Sequence, residues 1–330
     1  MKLKLKKISL KDTIDGNYYI CKNTFTNYVK KSNFNNSKSI YTGFAEQIQN
    51  ISGHGKDYLV VKAIQIDKLG RIYVGGIFNK IGNLKCNNVA MWDGKKWNNL
   101  SNGLNGEIQS MCLDSDDNLY VGGSFSENVV YGNEQKVVSF NIIKWNGEKW
   151  VGMDGGVNSN ITDIGKLSTG EIVVVGSFTK SITSETILQS IAKWDGSNWI
   201  NLGADFLNLA SIYALAITQN DLIYIGGYFG FNVSVLNTKT NVWTELEDAN
   251  SNKLSQIINT ITIDERTQNP IFGGAIGDFG SEDYPITNVH NVVKFDTKTS
   301  TWIPITSSNG FGLDSQCFKL YYNNIIASSV

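Results

Sequence analysis

One short pattern recurs along the chain, and it constrains the fold more than any other feature. A β-rich run ends in Gly-Gly-x-Phe: Ile72 to Phe78 around Gly75-Gly76, Leu119 to Phe125 around Gly122-Gly123, and Ile223 to Phe229 around Gly226-Gly227. The copy Val173 to Phe178 carries Val175 at the first glycine position, and Ile271 to Gly274 is a looser copy. These first positions, 75, 122, 175, 226 and 273, lie 47, 53, 51 and 47 residues apart. A period of this size marks a repeat architecture.

A second motif follows each copy, and it holds all eight tryptophans of the protein. They fall as Trp92 with Trp97, Trp145 with Trp150, and Trp194 with Trp199. Trp243 and Trp302 take the second slot alone, with Leu236 and Phe295 in the first. Three positions beyond the second tryptophan stands Leu100, Met153, Leu202, Leu246 or Ile305. A third element alternates aliphatic residues, as Ile64 with Ile66, Met111 with Leu113, Leu215 with Ile217, and Ile261 with Ile263; Ile164 and Leu167 fall one residue out of step.

Each repeat therefore reads as four short strands, a to d. Strand a is the alternating run and strand b ends in the glycines. Strand c begins at an Asn or Ser, and strand d carries the second tryptophan. Asp93-Gly94, Asn146-Gly147 and Asp195-Gly196 predict two-residue c–d hairpins, with positive φ at both central positions. Four antiparallel strands per repeat predict an all-β fold, a β-propeller whose blades are these repeats. The fixed registry of the tryptophans places them in the core between blades. The paired glycines are expected at a close backbone approach or a bulge.

At Leu236 to Trp243 and Phe295 to Trp302 the pattern resembles the kelch repeat, the repeat of the galactose-oxidase central domain. The Trp-Asp-Gly copies shorten the c–d turn, which makes the repeats kelch-like. The resemblance covers residues 57–305, read as five repeats of a single domain over 1–330. Residues 1–56 and 306–330 are expected to form a composite closing blade, so that N- and C-terminal strands share one sheet and leave no open edge. That gives six blades. The alternative is seven, in which Ile8 to Leu10 supplies a first strand, residues 316–330 begin a further blade, and Asn324 to Ser329 is its strand b.

Composition narrows the function. The formal net charge is -1, and there are two arginines, Arg71 and Arg266, against 27 lysines. Nucleic-acid reading leans on Arg, so a nucleic-acid partner is not expected. No apolar stretch is long enough for a membrane span. The four cysteines, Cys21, Cys86, Cys112 and Cys317, are scattered, as in a cytosolic chain with reduced thiols. With 38 asparagines the composition resembles proteins of AT-rich genomes, such as large amoeba-infecting DNA viruses. The expected location is the cytoplasm or a virus particle.

No catalytic, cofactor or metal constellation stands out. His54 and His290 are far apart and lack acidic partners. Asp114, Asp116 and Asp117 fall in an a–b turn and lack the glycine and distal Glu of a calcium loop. The resemblance to kelch-like copper oxidases stops at the repeat, because their Tyr and His ligand set has no match here. Sialidase propellers need an arginine triad, and two arginines cannot make one.

Strand direction puts the b–c and d–a loops on one face, where the long irregular loops lie. Long loops on a rigid scaffold are where binding usually resides. Their apolar residues outside the repeat registry are candidates for a partner-binding patch: Val129, Val130 and Tyr131; Ile182, Ile187 and Leu188; Phe206; Tyr284; and Phe311. The expected role is a non-enzymatic scaffold or adaptor that binds a protein. The alternative is a propeller that binds or processes glycans at its central opening, marked by convergent carboxylates of raised pKa.

Overall fold

The computed structural model describes residues 60–125, 130–132, 135–203, 211–229, 232–289, 291–305, 315–321 and 324–329. Residues 1–56, expected to contribute to a closing blade, lie outside them. Five four-stranded antiparallel sheets follow one another along the chain, each in a-b-c-d order. Their a strands are Val60–Ile66, Glu107–Leu113, Ile161–Lys166, Ser211–Ile217 and Ile258–Ile263. The a strands of successive sheets contact one another, which sets them on the inside of the ring. Strand b is buried along its length, as in Ile172–Gly176. After the fifth blade, Ser315–Tyr321 pairs with Asn324–Ser329, and the first of these strands packs beside the a strand of the fifth blade. The C-terminal segment thus supplies both an a and a b strand. This hairpin is the a–b pair that the seven-blade alternative expects, while the b strand that the six-blade expectation takes from N-terminal residues falls outside the described residues.

The core is divided into layers, and four of them lie between consecutive blades. Tyr73, Val89 and Leu100 of the first blade pack with Ile108, Met111 and Trp150 of the second. Equivalent clusters join the second to the third, the third to the fourth, and the fourth to the fifth. The tryptophans explain how each layer closes. Within a blade the c and d aromatics meet edge to face, with Trp92–Trp97 centroids 5.5 Å apart and Phe295–Trp302 at 4.8 Å. The d-strand indole then donates its N–H to a carbonyl of the preceding blade: Trp150 to Leu100 at 3.0 Å, Trp199 to Met153 at 3.0 Å, and Trp243 to Leu202 at 2.8 Å. Trp302 reaches Asn252 O at 3.0 Å. The acceptors Leu100, Met153 and Leu202 are the residues three positions beyond each second tryptophan.

The two glycines do different work. Every a strand bulges at one residue, between Val61 and Ala63, Ile108 and Ser110, Ile161 and Asp163, Ile212 and Ala214, and Ile258 and Thr260. The glycine pair lies opposite this bulge. A Cβ on the first glycine would meet the next blade: at Gly75 it would lie 2.7 Å from Ile108 Cγ2, and at Gly122 2.7 Å from Ile161 Cγ2. A Cβ on the second would collide with the carbonyl of its own a strand, Glu107 O for Gly123 and Ser211 O for Gly227. Side chains can shift and a paired backbone cannot, which is why Val175 is tolerated in the first slot.

Two expectations change. The c–d turns hold four residues between paired tryptophans, and only the glycine has positive φ, +94° at Gly94 and +96° at Gly147. The preceding acid or amide replaces the second left-handed residue by capping the turn: Asp93 Oδ1 accepts from Lys95 N and Lys96 N at 2.8 and 2.9 Å. Backbone N–H groups of Asn198 and Ser197 hold the Asp195 carboxyl below its usual range in the same way. Ile164 is in step after all, since it pairs with Val174 as Met111 does with Val121. Leu167 takes the turn position that Asp67 and Asp114 hold in other blades.

Gly123→Ala is expected to destabilise the fold by ~3 kcal/mol, because the clash is with paired backbone. Gly122→Ala is expected to cost less, as a neighbouring isoleucine can yield. Urea unfolding of the two variants tests the order, and equal midpoints would sink this division of roles.

Candidate functional site

The loops on the b–c and d–a side are bound to each other. The Asn that opens strand c ties them together from a left-handed conformation, with φ of 61° at Asn88 and 62° at Asn141. Asn88 Oδ1 accepts from Phe78 N at 2.9 Å and its Nδ2 donates to Leu104 O at 2.9 Å. Asn141 repeats this with Phe125 N at 3.1 Å and Val157 O at 2.8 Å. Further bonds run between the loop sets, Asn158 Nδ2 to Thr179 Oγ1 at 2.8 Å and Ser281 N to Asn252 Oδ1 at 2.9 Å. Both sets therefore share one face. On the other face the a–b turns link blade to blade, as where Ser168 N donates to Asp221 Oδ1 at 2.7 Å. The acidic turn belongs to this second set. Asp114 Oδ1 accepts from Asp116 N and Asn118 N, each at 2.9 Å, so it caps a turn.

Of the nine candidate residues, Ile187 and Tyr284 stand clear on the loop face, 61% and 55% exposed. Ile182 is half-buried, with its N–H donating to Gly156 O at 3.0 Å. Leu188 is fully buried and must be withdrawn from the surface: it packs with Phe178 and Met153 in the layer between the second and third blades. Its loop folds back so that the two adjacent aliphatics point to opposite environments. Val130 and Tyr131 fall in the short strand Val130–Gly132, paired with Gln135–Val137. Val129, Phe206 and Phe311 lie outside the described residues, as do both histidines.

Further exposed apolar residues lie outside the candidate set, among them Tyr228 at 65%, Tyr213 at 38% and Ile257 at 38%. Tyr228 occupies the x of Gly-Gly-x-Phe, a slot filled by Ile77 and Ser124 in the first two blades. The fourth blade joins b to c through residues 229–232 alone, so no long loop covers it. An aromatic in that slot beside a missing loop is a signal the sequence did contain.

The inner wall carries a different chemistry. The bulged residues Lys62, Gln109, Thr162 and Tyr213 come from successive a strands. Lys62 Nζ donates to Gln109 Oε1 at 2.9 Å and pairs with Glu107. Thr162 Oγ1 donates to Ile212 O at 2.7 Å. Asp163 spans three blades: Ser110 Oγ donates to its Oδ1 at 2.7 Å, Ile164 N to the same oxygen at 2.9 Å, and Leu215 N to its Oδ2 at 3.0 Å. Burial pushes its carboxyl up to about 6, against the opposing pull of those three donors. The shift owes nothing to a second carboxylate, and the oxygens are committed to neighbouring blades. Asp163 thus acts as a staple between blades, where a glycan-processing site would require a facing acid.

A family model described as the Rax2 C-terminal beta propeller domain matches residues 40–222, more than half of the chain. No curated protein shows a significant match.

The Asp163 shift has a definite sign. Its folded-state pKa stands above the ordinary 3.8, so the proton is bound more tightly when folded. The resulting stabilisation is full below about pH 4 and is lost as pH rises through about 6. Asp163→Asn is expected to abolish this part of the pH dependence. Urea midpoints of the two proteins from pH 7.5 to 4 should diverge in favour of the wild type as pH falls, and parallel profiles would refute it.

Proposed function

The chain belongs to the family of Rax2 C-terminal β-propeller domains, and from that premise we propose that it is a non-enzymatic binding scaffold, built of kelch-type repeats, whose protein partner docks on the b–c and d–a loop face. The observation that carries this reading is the pairing of a rigid support with exposed apolar side chains. The loop that carries Ile187 is fastened to the d–a loop of the second blade, with Ser184 N donating to Asp154 Oδ2 at 3.2 Å and Asn158 Nδ2 to Thr179 Oγ1 at 2.8 Å. The loop that carries Tyr284 is held by Asn252 Nδ2 at 3.1 Å. Ile187 and Tyr284 project from these loops with most of their surface in water. Preformed loops lose little entropy on association. Aromatic and aliphatic residues ringed by polar ones suit the centre of an interface. In the same loop as Ile187, Thr183, Ser184 and Glu185 are exposed.

The polar inner wall supports the same assignment from the other side. Asp163, Gln109 and Thr162 spend their hydrogen bonds on neighbouring blades, so the wall holds the ring together and the face above it meets the partner.

The test is a comparative pull-down from native host lysate, using wild type and a variant combining Ile187→Ser with Tyr284→Ser. Both side chains are exposed and Tyr284 gives only its backbone to the loop bonds, so the variant is expected to keep the wild-type circular dichroism and melting temperature. A partner retained by the wild type and lost by the variant is the expected result. Equal retention with the fold intact would remove this face from the account.

A further inference from the structure

A cleft of ≈ 430 Å³ opens on the loop face between the d–a loop of the fourth blade and the b–c loop of the fifth. Its walls are fixed before any ligand arrives. Asn252 donates through Nδ2 to Tyr284 O at 3.1 Å and to Asp248 Oδ2 at 3.0 Å, and its own carbonyl accepts the Trp302 indole. The cleft is therefore anchored to the core layer between the two blades.

Its lining is polar and nearly without free charge. Asn250, Ser251 and Ser255 contribute amide and hydroxyl groups, with Phe279 as the one ring. Lys253, the cation of the lining, is already engaged by Glu245 and Glu247, which argues against an anionic ligand. The Gln256 amide is held loosely. Its Nε2 donates to Asp278 O over 3.4 Å, and its buried Oε1 has no partner. An unsatisfied acceptor of this kind is costly, and a side-chain rotation that found it a donor would be favourable. Tyr228, exposed because the fourth blade lacks a long b–c loop, precedes Phe229, whose backbone is tied to the cleft wall. Asn232 fastens the two together, with Oδ1 accepting from Phe229 N at 2.8 Å and Nδ2 donating to Ser255 O.

We propose that this cleft, together with Tyr228, is a binding subsite for a neutral carbohydrate. A pyranose presents a C–H face that packs on an aromatic ring, and around its rim hydroxyls that both donate and accept. Tyr228 supplies the flat surface. Asp278, and Gln256 Oε1 once its side chain turns outward, supply acceptors, and the Asn250 amide and Ser255 hydroxyl supply donors. A peptide would call for an apolar pocket to seat an anchor side chain, and this lining has no such pocket. The site goes beyond the protein-docking role and uses different side chains.

The test uses the full chain with chitotetraose, mannotetraose and xylotetraose, read by saturation-transfer NMR and titration calorimetry. At least one is expected to bind, in the millimolar range or tighter. Tyr228→Ala and Gln256→Ala should each weaken it roughly tenfold, with unchanged circular dichroism, and Ile187→Ser should leave it as it is. Absence of binding by all three sugars, or binding that survives both substitutions, would overturn the proposal. So would loss of a captured protein in the Tyr228 and Gln256 variants without any saccharide binding, which would make the cleft a peptide site. Failure of the protein-docking role would show separately, in the Ile187 and Tyr284 variant.

Discussion

A four-stranded blade has two apolar faces and no helix to cover either, so each blade depends on the next for its core. The indole hydrogen bond from strand d to the preceding blade fixes how that dependence is met. The Trp150 ring fills the layer between the first two blades while its N–H satisfies Leu100 O at the blade's outgoing end. One side chain thus supplies bulk, direction and hydrogen-bond closure. Because the bond repeats at Trp199, Trp243 and Trp302, the angle between blades is set locally each time. The loop face inherits its geometry from that repetition.

Most of the architecture is legible in the sequence because it rests on side chains with a periodic job. Tryptophan, the glycine pair and the strand-c asparagine recur where the same contact recurs. The turn geometry was less legible, since Asp-Gly is compatible with a two-residue hairpin as well as with the four-residue capped loop that forms. What decides between them is the Asp93 carboxylate taking two backbone N–H groups, a contact with no trace in the dipeptide alone.

The candidate site was harder to read, for a related reason. Ile187 and Leu188 are chemically alike and adjacent, yet one faces water and the other the core, because a loop without a strand's alternation hides its side-chain directions. Tyr228 was concealed by the opposite circumstance, lying inside a repeat motif where a structural role is the natural assumption. Asp163 occupies a slot held by Ala63, Ser110, Ala214 and Thr260 in the other blades, so no recurrence marks it. Its three donors come from three different blades and meet only in the folded ring.

The unequal glycines have a consequence for how such a chain can change over time. A side chain gained at the first position presses on an isoleucine of the following blade, and a smaller residue there can absorb it. The two sites are partners in different repeats and are free to covary. The second position answers to a carbonyl of its own blade, for which no substitution elsewhere can compensate. Divergence should therefore travel around the ring as matched changes at blade boundaries while the second glycine stands still. Val175 beside the unaltered Gly176 shows the first position changed and the second kept, with Ile212 still in the facing slot of the next blade.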